Sequence, residues 1–234
     1  MSKCYRCFRP EKSCYCKYIN PFDCGIKFVI LMHPKEAFKQ KTGTGRLTNI
    51  ALIDSEIIIG VDFTENKRLL ELLSDEQYYP VLLYPDEKAW TASNPALKTQ
   101  LGTNKKLLVI VLDATWPLAK KMLKLSPNLH EIPKISFRAG YRSQFKFKKQ
   151  PAEECLSSIE SCYYLIKELQ TIDFVPSSVN PEPLMDVFKK MIIFQLQAEN
   201  DRVLGLRPST HNYDGKYKKI KEIPNFEFSK EFDD

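Results

Sequence analysis

The stretch "LLVIVLDATWP", Leu107 to Pro117, stops an unbroken apolar run at a carboxylate, Asp113, and follows it with Ala114, Thr115, Trp116 and Pro117. Six consecutive Leu, Val and Ile residues read as a strand buried on both faces of a sheet. In open α/β sheets, ligands bind in the crevice outside the carboxyl ends of the strands, so an acid at that end is placed to act on one. Thr115 followed by Trp116-Pro117 also suits a helix N-cap with proline in the first turn. Capping and function therefore both account for this stretch. Trp116 is open in the same way: an indole at the mouth of a strand serves for stacking on a ligand or for packing.

Five of the seven cysteines fall within the first 24 residues. Cys4, Cys7, Cys14 and Cys16 have the spacing C-x2-C-x6-C-x-C. A CxxC turn brings two thiolates to one ion and a second pair completes a tetrahedral set, so a structural Zn2+ is expected; four thiolates also suit iron. Disulfides are the competing reading, but a secreted scaffold carries a signal peptide and cysteines throughout the chain. A closed four-sulfur site leaves no open coordination position and takes no part in catalysis. The loops around it carry Arg6, Arg9, Lys12 and Lys17, which extend a surface for RNA. Cys24 reads as a small core residue, and Cys155 and Cys162, seven apart on an expected helix, as one core face.

Two further segments bear on ligands. "TGTG", Thr42 to Gly45, fits neither the P-loop nor the dinucleotide fingerprint, yet glycines beside threonines at a helix start cradle a carboxylate or phosphate, or form a plain loop. "RAGYRSQFKFKK", Arg138 to Lys149, holds Arg138, Arg142, Lys146, Lys148 and Lys149 with no acid, interleaved with Tyr141, Phe145 and Phe147. Cations that neutralise phosphate beside rings that stack on bases form a nucleic-acid surface. A lysine-guarded sheet edge is the bland alternative.

These residues need elements to hold them. Strands are expected at Ile26–His33, Glu56–Gly60, Tyr79–Pro85 and up to Asp113, with "IPKISF" as a fifth. Pro34 to Thr44 reads as a loop, and helices as starting near Gly45 and spanning 65–74, 151–170 and 181–200, with Pro151, Glu153 and Glu154 opening the third of these. Alternation of strand and helix implies an α/β fold, a mostly parallel sheet with helices on both faces. The 234 residues allow a small knuckle over 1–24, a catalytic domain over 25–214 and a charged tail over 215–234. The net charge of +6 is moderate. No apolar run reaches the ~18–20 residues of a membrane span, and the start of the chain is cysteine-rich and basic, which argues for the cytoplasm. The pattern leaves the oligomeric state open, a monomer among the possibilities.

Taken in order, "CYRCFRPEKSCYC", "LMHPKE" followed by "TGTGRL", "DATW" after an apolar strand, and "KKQP" leading to "CLSSIES" resemble the DTW-domain family of tRNA-uridine aminocarboxypropyltransferases. The four motifs run from Cys4 to about Ser161. The resemblance implies a fold related to the knotted SPOUT methyltransferases and S-adenosylmethionine as donor. It also implies transfer of the 3-amino-3-carboxypropyl group to N3 of a tRNA uridine, with 5'-methylthioadenosine released. The chain departs from the family pattern at Lys148-Lys149-Gln150-Pro151 and at Ser157-Ser158-Ile159-Glu160-Ser161, where lysine lacks the bidentate fork of arginine.

On that resemblance, Asp113 assists removal of the N3 proton or holds the uracil edge, beside Thr115 and Trp116. An exposed aspartate, with a pKa of ~3.9, is a weak base at neutral pH, so the role asks for a desolvated carboxylate. Thr42, Gly43 and Thr44 are candidates for the donor's carboxylate. Leu112, Gln150, Pro151, Leu156 and Ser157 are candidates for its adenosine pocket, and Glu160 for its ammonium. Arg138, Arg142, Lys146, Lys148 and Lys149 would hold tRNA phosphates. His33 reads as an ordinary loop-edge residue. A SPOUT-type RNA methyltransferase and a non-catalytic zinc-containing RNA-binding module are the alternatives.

Overall fold

The computed structural model describes residues 2–40, 42–91, 99, 105–137, 140–145 and 155–206. Five strands form one all-parallel sheet: β1 (Lys27–Met32), β2 (Ser55–Ile59), β3 (Tyr78–Leu83), β4 (Lys106–Asp113) and β5 (Lys134–Ile135). Their order across the sheet is β2-β1-β4-β3-β5. The most apolar segments lie at its centre: every residue of β1 is buried, as are Leu107 to Val111 of β4. Register fixes which ends meet, pairing Met32 with Asp113 at the carboxyl edge.

The described helices are α1 (Pro34–Phe38), α2 (Gly45–Ala51), α3 (Lys67–Ser74), α4 (Trp116–Leu125), α5 (Ser158–Thr171) and α6 (Glu182–Val203). They cover both faces of the sheet, as strand–helix alternation requires. Leu69 and Leu72 of α3 and Met122 and Leu123 of α4 pack on one face, against Val29, Leu31, Leu82, Leu108 and Ile110. Ile30 and Met32, with the opposite parity, meet Ala37 of α1 on the other, where α2 and α5 pack together over β1 and β4.

Three expectations change. Pro34 to Thr44 is not all loop: His33 caps α1, its Nδ1 accepting the Lys35 N–H at 3.0 Å, and Pro34 takes the first helical position where its missing N–H costs nothing. The fifth strand is two residues long. Helix α5 starts at Ser158, because Ser157 and Glu160 form a reciprocal capping box. Cys155 to Ser157 precede it outside the helix, and Pro151 to Glu154 lie outside the described residues. Cys155 is therefore not a face-mate of Cys162, which is fully buried.

The chain divides into two compact units, Met1–Phe188 and Lys189–Asp234, the boundary falling within α6. The expected tail over 215–234 lies outside the described residues. Among those described, no helix is long and apolar enough to cross a membrane.

Candidate active site and metal knuckle

β1 and β4 are neighbours whose onward connections leave in opposite directions, β1 toward β2 and β4 toward β5. The carboxyl ends of such a pair open a crevice, the usual ligand position of an open α/β sheet. Asp113 is the last residue of β4 and stands at that crevice, 5% exposed. Its backbone carbonyl accepts the His33 N–H at 3.0 Å, which locks the end of β4 to the start of α1. One carboxylate oxygen accepts the hydroxyl of Ser158, from the first turn of α5. The other faces Gly45 at the start of α2.

Gly45 is a glycine because of that approach. A Cβ there would fall 2.7 Å from Asp113 Cγ and 2.9 Å from Met32 Cε. The N-terminal turns of α2 and α5 thus converge on the strand-end acid. Arg46, the next residue, feels the Asp113 charge, although burial is the larger influence and lowers its pKa. Beneath them Cys162 is buried, and desolvation first, then the charges of Cys24 and Asp113, push its thiol far up. It is packing material. Cys24 is likewise buried, its thiol raised to about 11, chiefly by burial.

Thr44, buried, caps α2 by position and its carbonyl accepts the Thr48 hydroxyl at 3.0 Å, while Thr42 and Gly43 are half-buried beside it. Leu112 and Leu156 are half-buried near the same edge, and Ser157 is the N-cap of α5. Glu160 is fully buried, and its carboxylate accepts from the Ser143 hydroxyl (2.8 Å), the Gln144 N–H (2.6 Å), and the N–H and hydroxyl of Ser157 (2.9 and 2.6 Å). Those four donors make it the anchor of the 143–145 segment on α5. Thr115 occupies the N-cap position of α4 without a side-chain capping bond and is exposed. Trp116 is half-buried and tilted against Tyr84, with centroids 6.0 Å apart.

The basic-aromatic stretch is partly structural. Phe145 is buried against Phe188, and Tyr141 stacks on Tyr164 of α5 at 4.2 Å. Phe145 is therefore no open platform for a base, and Tyr141, half-buried, already has one stacked partner. Arg142 is exposed, whereas Arg138, Lys146, Lys148, Lys149, Gln150 and Pro151 lie outside the described residues. An open cavity of about 570 Å³ is lined by Asp86, Trp90, His130 and Lys134 among others, and none of the expected site residues belongs to it.

At the start of the chain the sulfurs of Cys4, Cys7, Cys14 and Cys16 all lie within 4.8 Å of one another. Cys4 and Cys16 are 3.7 Å apart, as are Cys7 and Cys14. A tetrahedral site with Zn–S near 2.3 Å has sulfur–sulfur edges of about 3.8 Å, so the set fits a cation. The thiols themselves ask for one. Backbone N–H groups of Cys7 and Arg6 aim at Cys4 and bring its pKa to about 6, while burial first and crowding by the other thiols second push Cys16 upward. The knuckle is tied to the crevice. Arg9, over the Tyr15 ring, reaches the Gly43 carbonyl at 3.3 Å, and the Phe8 ring covers the Arg46 guanidinium at 4.1 Å.

The sequence pattern includes Gly45 only as part of the glycine-threonine cradle, and it does not single out Arg46, Ser158 or the capping role of His33. Only Ser158 had a visible signal, the S-x-x-E capping box that sets it in the first turn of α5.

With this arrangement in view, the chain belongs to the DTW domain family, whose model matches residues 1–196. Its curated relatives include proteins named tRNA-uridine aminocarboxypropyltransferase 2. That of Drosophila melanogaster is 28% identical over 177 residues, 73% of this chain and 67% of the relative. Those of Mus musculus (25% over 199 residues) and Macaca fascicularis (23% over 198) each match 83% of this chain. The match spans about two thirds of the length of these relatives, 64% for the two mammalian proteins.

Proposed function

We propose that this protein is a tRNA-uridine aminocarboxypropyltransferase that moves the 3-amino-3-carboxypropyl group of S-adenosylmethionine onto N3 of a tRNA uridine, leaving 5'-methylthioadenosine. The observation that carries the proposal is Asp113: a buried carboxylate at a sheet crevice, oriented by Ser158 and given room by Gly45, in a chain of this family. Uridine N3 carries a proton at neutral pH, and attack on the γ-carbon beside the sulfonium needs that proton removed or drawn away. Asp113 is the acceptor for it. Ser158 holds the carboxylate rotamer, and the low exposure keeps water from competing for the oxygens.

Which carbon beside the sulfur reacts is decided by presentation, so the residues around Asp113 act chiefly as positioners of the donor. Thr42, Gly43 and Thr44 are assigned to its carboxylate, and Leu112, Gln150, Pro151, Leu156 and Ser157 to its adenosine. Glu160, spent on four internal donors, serves by fixing the α5 N-terminus. Thr115 and Trp116 border the uracil side. Arg138, Arg142, Lys146, Lys148 and Lys149 are assigned to tRNA phosphates. The Cys4 site would hold a structural Zn2+ that fixes the knuckle's fold and takes no part in the transfer.

Purified protein incubated with S-adenosylmethionine and unmodified tRNA is expected to yield 3-(3-amino-3-carboxypropyl)uridine and 5'-methylthioadenosine in equal amounts. Methylated uridine with S-adenosylhomocysteine would point instead to a methyltransferase, and no consumption of donor to a binding module.

A further inference from the structure

Between Ser2 and Gln40 the sequence has eight cations against three acids, Glu11, Asp23 and Glu36; with Lys27 bridged to Asp54 and Glu56 at the other end of the sheet and Arg9 buried, six remain, Lys3, Arg6, Lys12, Lys17, Lys35 and Lys39. The acids are already engaged: Glu36 is buried, Glu11 accepts the Ser2 hydroxyl, and Asp23 accepts the Gly25 N–H. On this part of the molecule three rings stand out into solvent, Tyr5 at 93%, Phe38 at 74% and Phe8 at 55% exposure. Phe8 and Phe38 are linked through one side chain. The Phe8 ring lies on the Arg46 guanidinium, and Arg46 donates to the carbonyl of Ala37, the residue before Phe38. Tyr5 sits in the same turn as Phe8, whose N–H closes on the Cys4 carbonyl at 2.8 Å.

Phe8 is held there against its backbone preference. Its φ is 58°, a region that bulky residues avoid and glycine tolerates. Residues kept in such a conformation cluster at ligand clamps, where the surrounding structure fixes them for a purpose. Core packing does not explain a ring that is more than half exposed. Exposed aromatics set among cations, without acids to repel phosphate, form a platform for unpaired bases, because every base offers a π-face.

We propose that Tyr5, Phe8 and Phe38, with Arg6, Lys39 and Arg46, form a docking surface for unpaired bases of the substrate tRNA beside the Asp113 crevice. The proposal rests on the reading of the protein as a tRNA-modifying enzyme and adds where the RNA sits and which groups hold it. The knuckle then presents the RNA as well as bracing the glycine-threonine loop through Arg9. Stacking, rather than phosphate contact alone, supplies the affinity.

The test uses full-length, metal-loaded protein and direct binding of an unmodified tRNA transcript, compared with a fully paired RNA duplex. Phe8→Gly is the central variant: it removes the ring at a backbone angle that glycine prefers, so the knuckle keeps its fold. Metal content and cysteine reactivity check that it does. Each loss of one stacked base is expected to weaken tRNA binding roughly 5- to 150-fold, with Tyr5→Ala and Phe38→Ala following Phe8→Gly and duplex binding unchanged. Lys39→Gln is expected to reduce the salt slope by about one. If the triple variant binds tRNA within twofold of the wild type, the proposal is overturned and the rings serve another partner. It is equally overturned if tRNA and duplex lose affinity alike. Modified nucleoside formed by variants that bind normally would remove the surface and leave the reaction standing; lost binding in a protein that forms no modified nucleoside would do the reverse.

Discussion

At the amino end of the sheet Lys27 bridges Asp54 (3.1 Å) and Glu56 (2.8 Å), Lys106 meets Asp54 at 2.6 Å, and Arg68 from α3 meets Glu56 at 2.8 Å. At the carboxyl end, 5 residues along β1 and 7 along β4, Asp113, and Glu160 of α5 beside it, are held by hydroxyls and backbone amides from α5 and the 143–144 segment. The first arrangement cancels charge between strand starts and makes the sheet edge inert. The second aims a carboxylate, with a glycine removing the one Cβ that would fill the space beside it. Buried charge is structural when partners of opposite sign surround it, and it becomes a candidate for chemistry when hydroxyls and amides orient it at a ligand crevice.

Substitutions at the two ends should therefore separate activity from stability. The largest effect is expected of Asp113→Asn, which keeps shape: transfer to tRNA falls by about a hundredfold or more, while thermal unfolding and tRNA affinity stay close to wild type. A variant with full activity would return Asp113 to the inert class. Next comes Gly45→Ala. Its Cβ would be 2.7 Å from Asp113 Cγ, so overpacking is expected to destabilise by about 1–3 kcal/mol in chemical denaturation. Activity should fall as well, because the carboxylate must move. Alanine ordinarily favours a helix, so a stabilised Gly45→Ala would show that the close approach does not exist.

At the other end, Glu56→Gln is expected to cost about 1–2 kcal/mol, a figure kept low because solvent screens part of the network, with the transfer rate unchanged. The smallest effect concerns pH. The Arg68 hydrogen bond, first among its causes, holds Glu56 down at about 2, and Asp54 is lowered by Lys106 and Lys27 against its desolvation. Depressed carboxylate pKa values make the unfolded chain bind more protons, so this stability is present above the ordinary carboxylate range, pH ~4, and is lost as pH falls toward 2. Acid titration of the melting temperature should show that limb in the wild type, and a shallower one in Glu56→Gln.

The sequence disclosed the parts whose signal is local. Leu107 to Leu112 could only be an interior strand, Asp113 could only end it, and four cysteines within thirteen residues of chain, Cys4 to Cys16, announced their own convergence. The parallel sheet with helices on both faces followed from alternation. What failed depended on tertiary contact. Phe145 looked like a base platform because basic neighbours flank it, but Phe188, distant in sequence, buries it. Gly45 looked permissive, whereas its meaning is a carboxylate 68 residues away in the chain. Pro151, Glu153 and Glu154 signal a helix start, but the capping box at Ser157 is the stronger local signal and sets the start of α5. His33 was passed over because a helix of one turn has too little periodicity to be seen.

The hydrogen bond from Ser158 to Asp113 closes 45 residues of chain. Strand β4, and the pairing that sets its end against His33, can be complete before α5 arrives, so the carboxylate acquires its orientation only when the last of three separate segments docks. Contacts of such sequence separation form late and slowly in folding. A fragment ending before α5 would keep the sheet's acid without its aim.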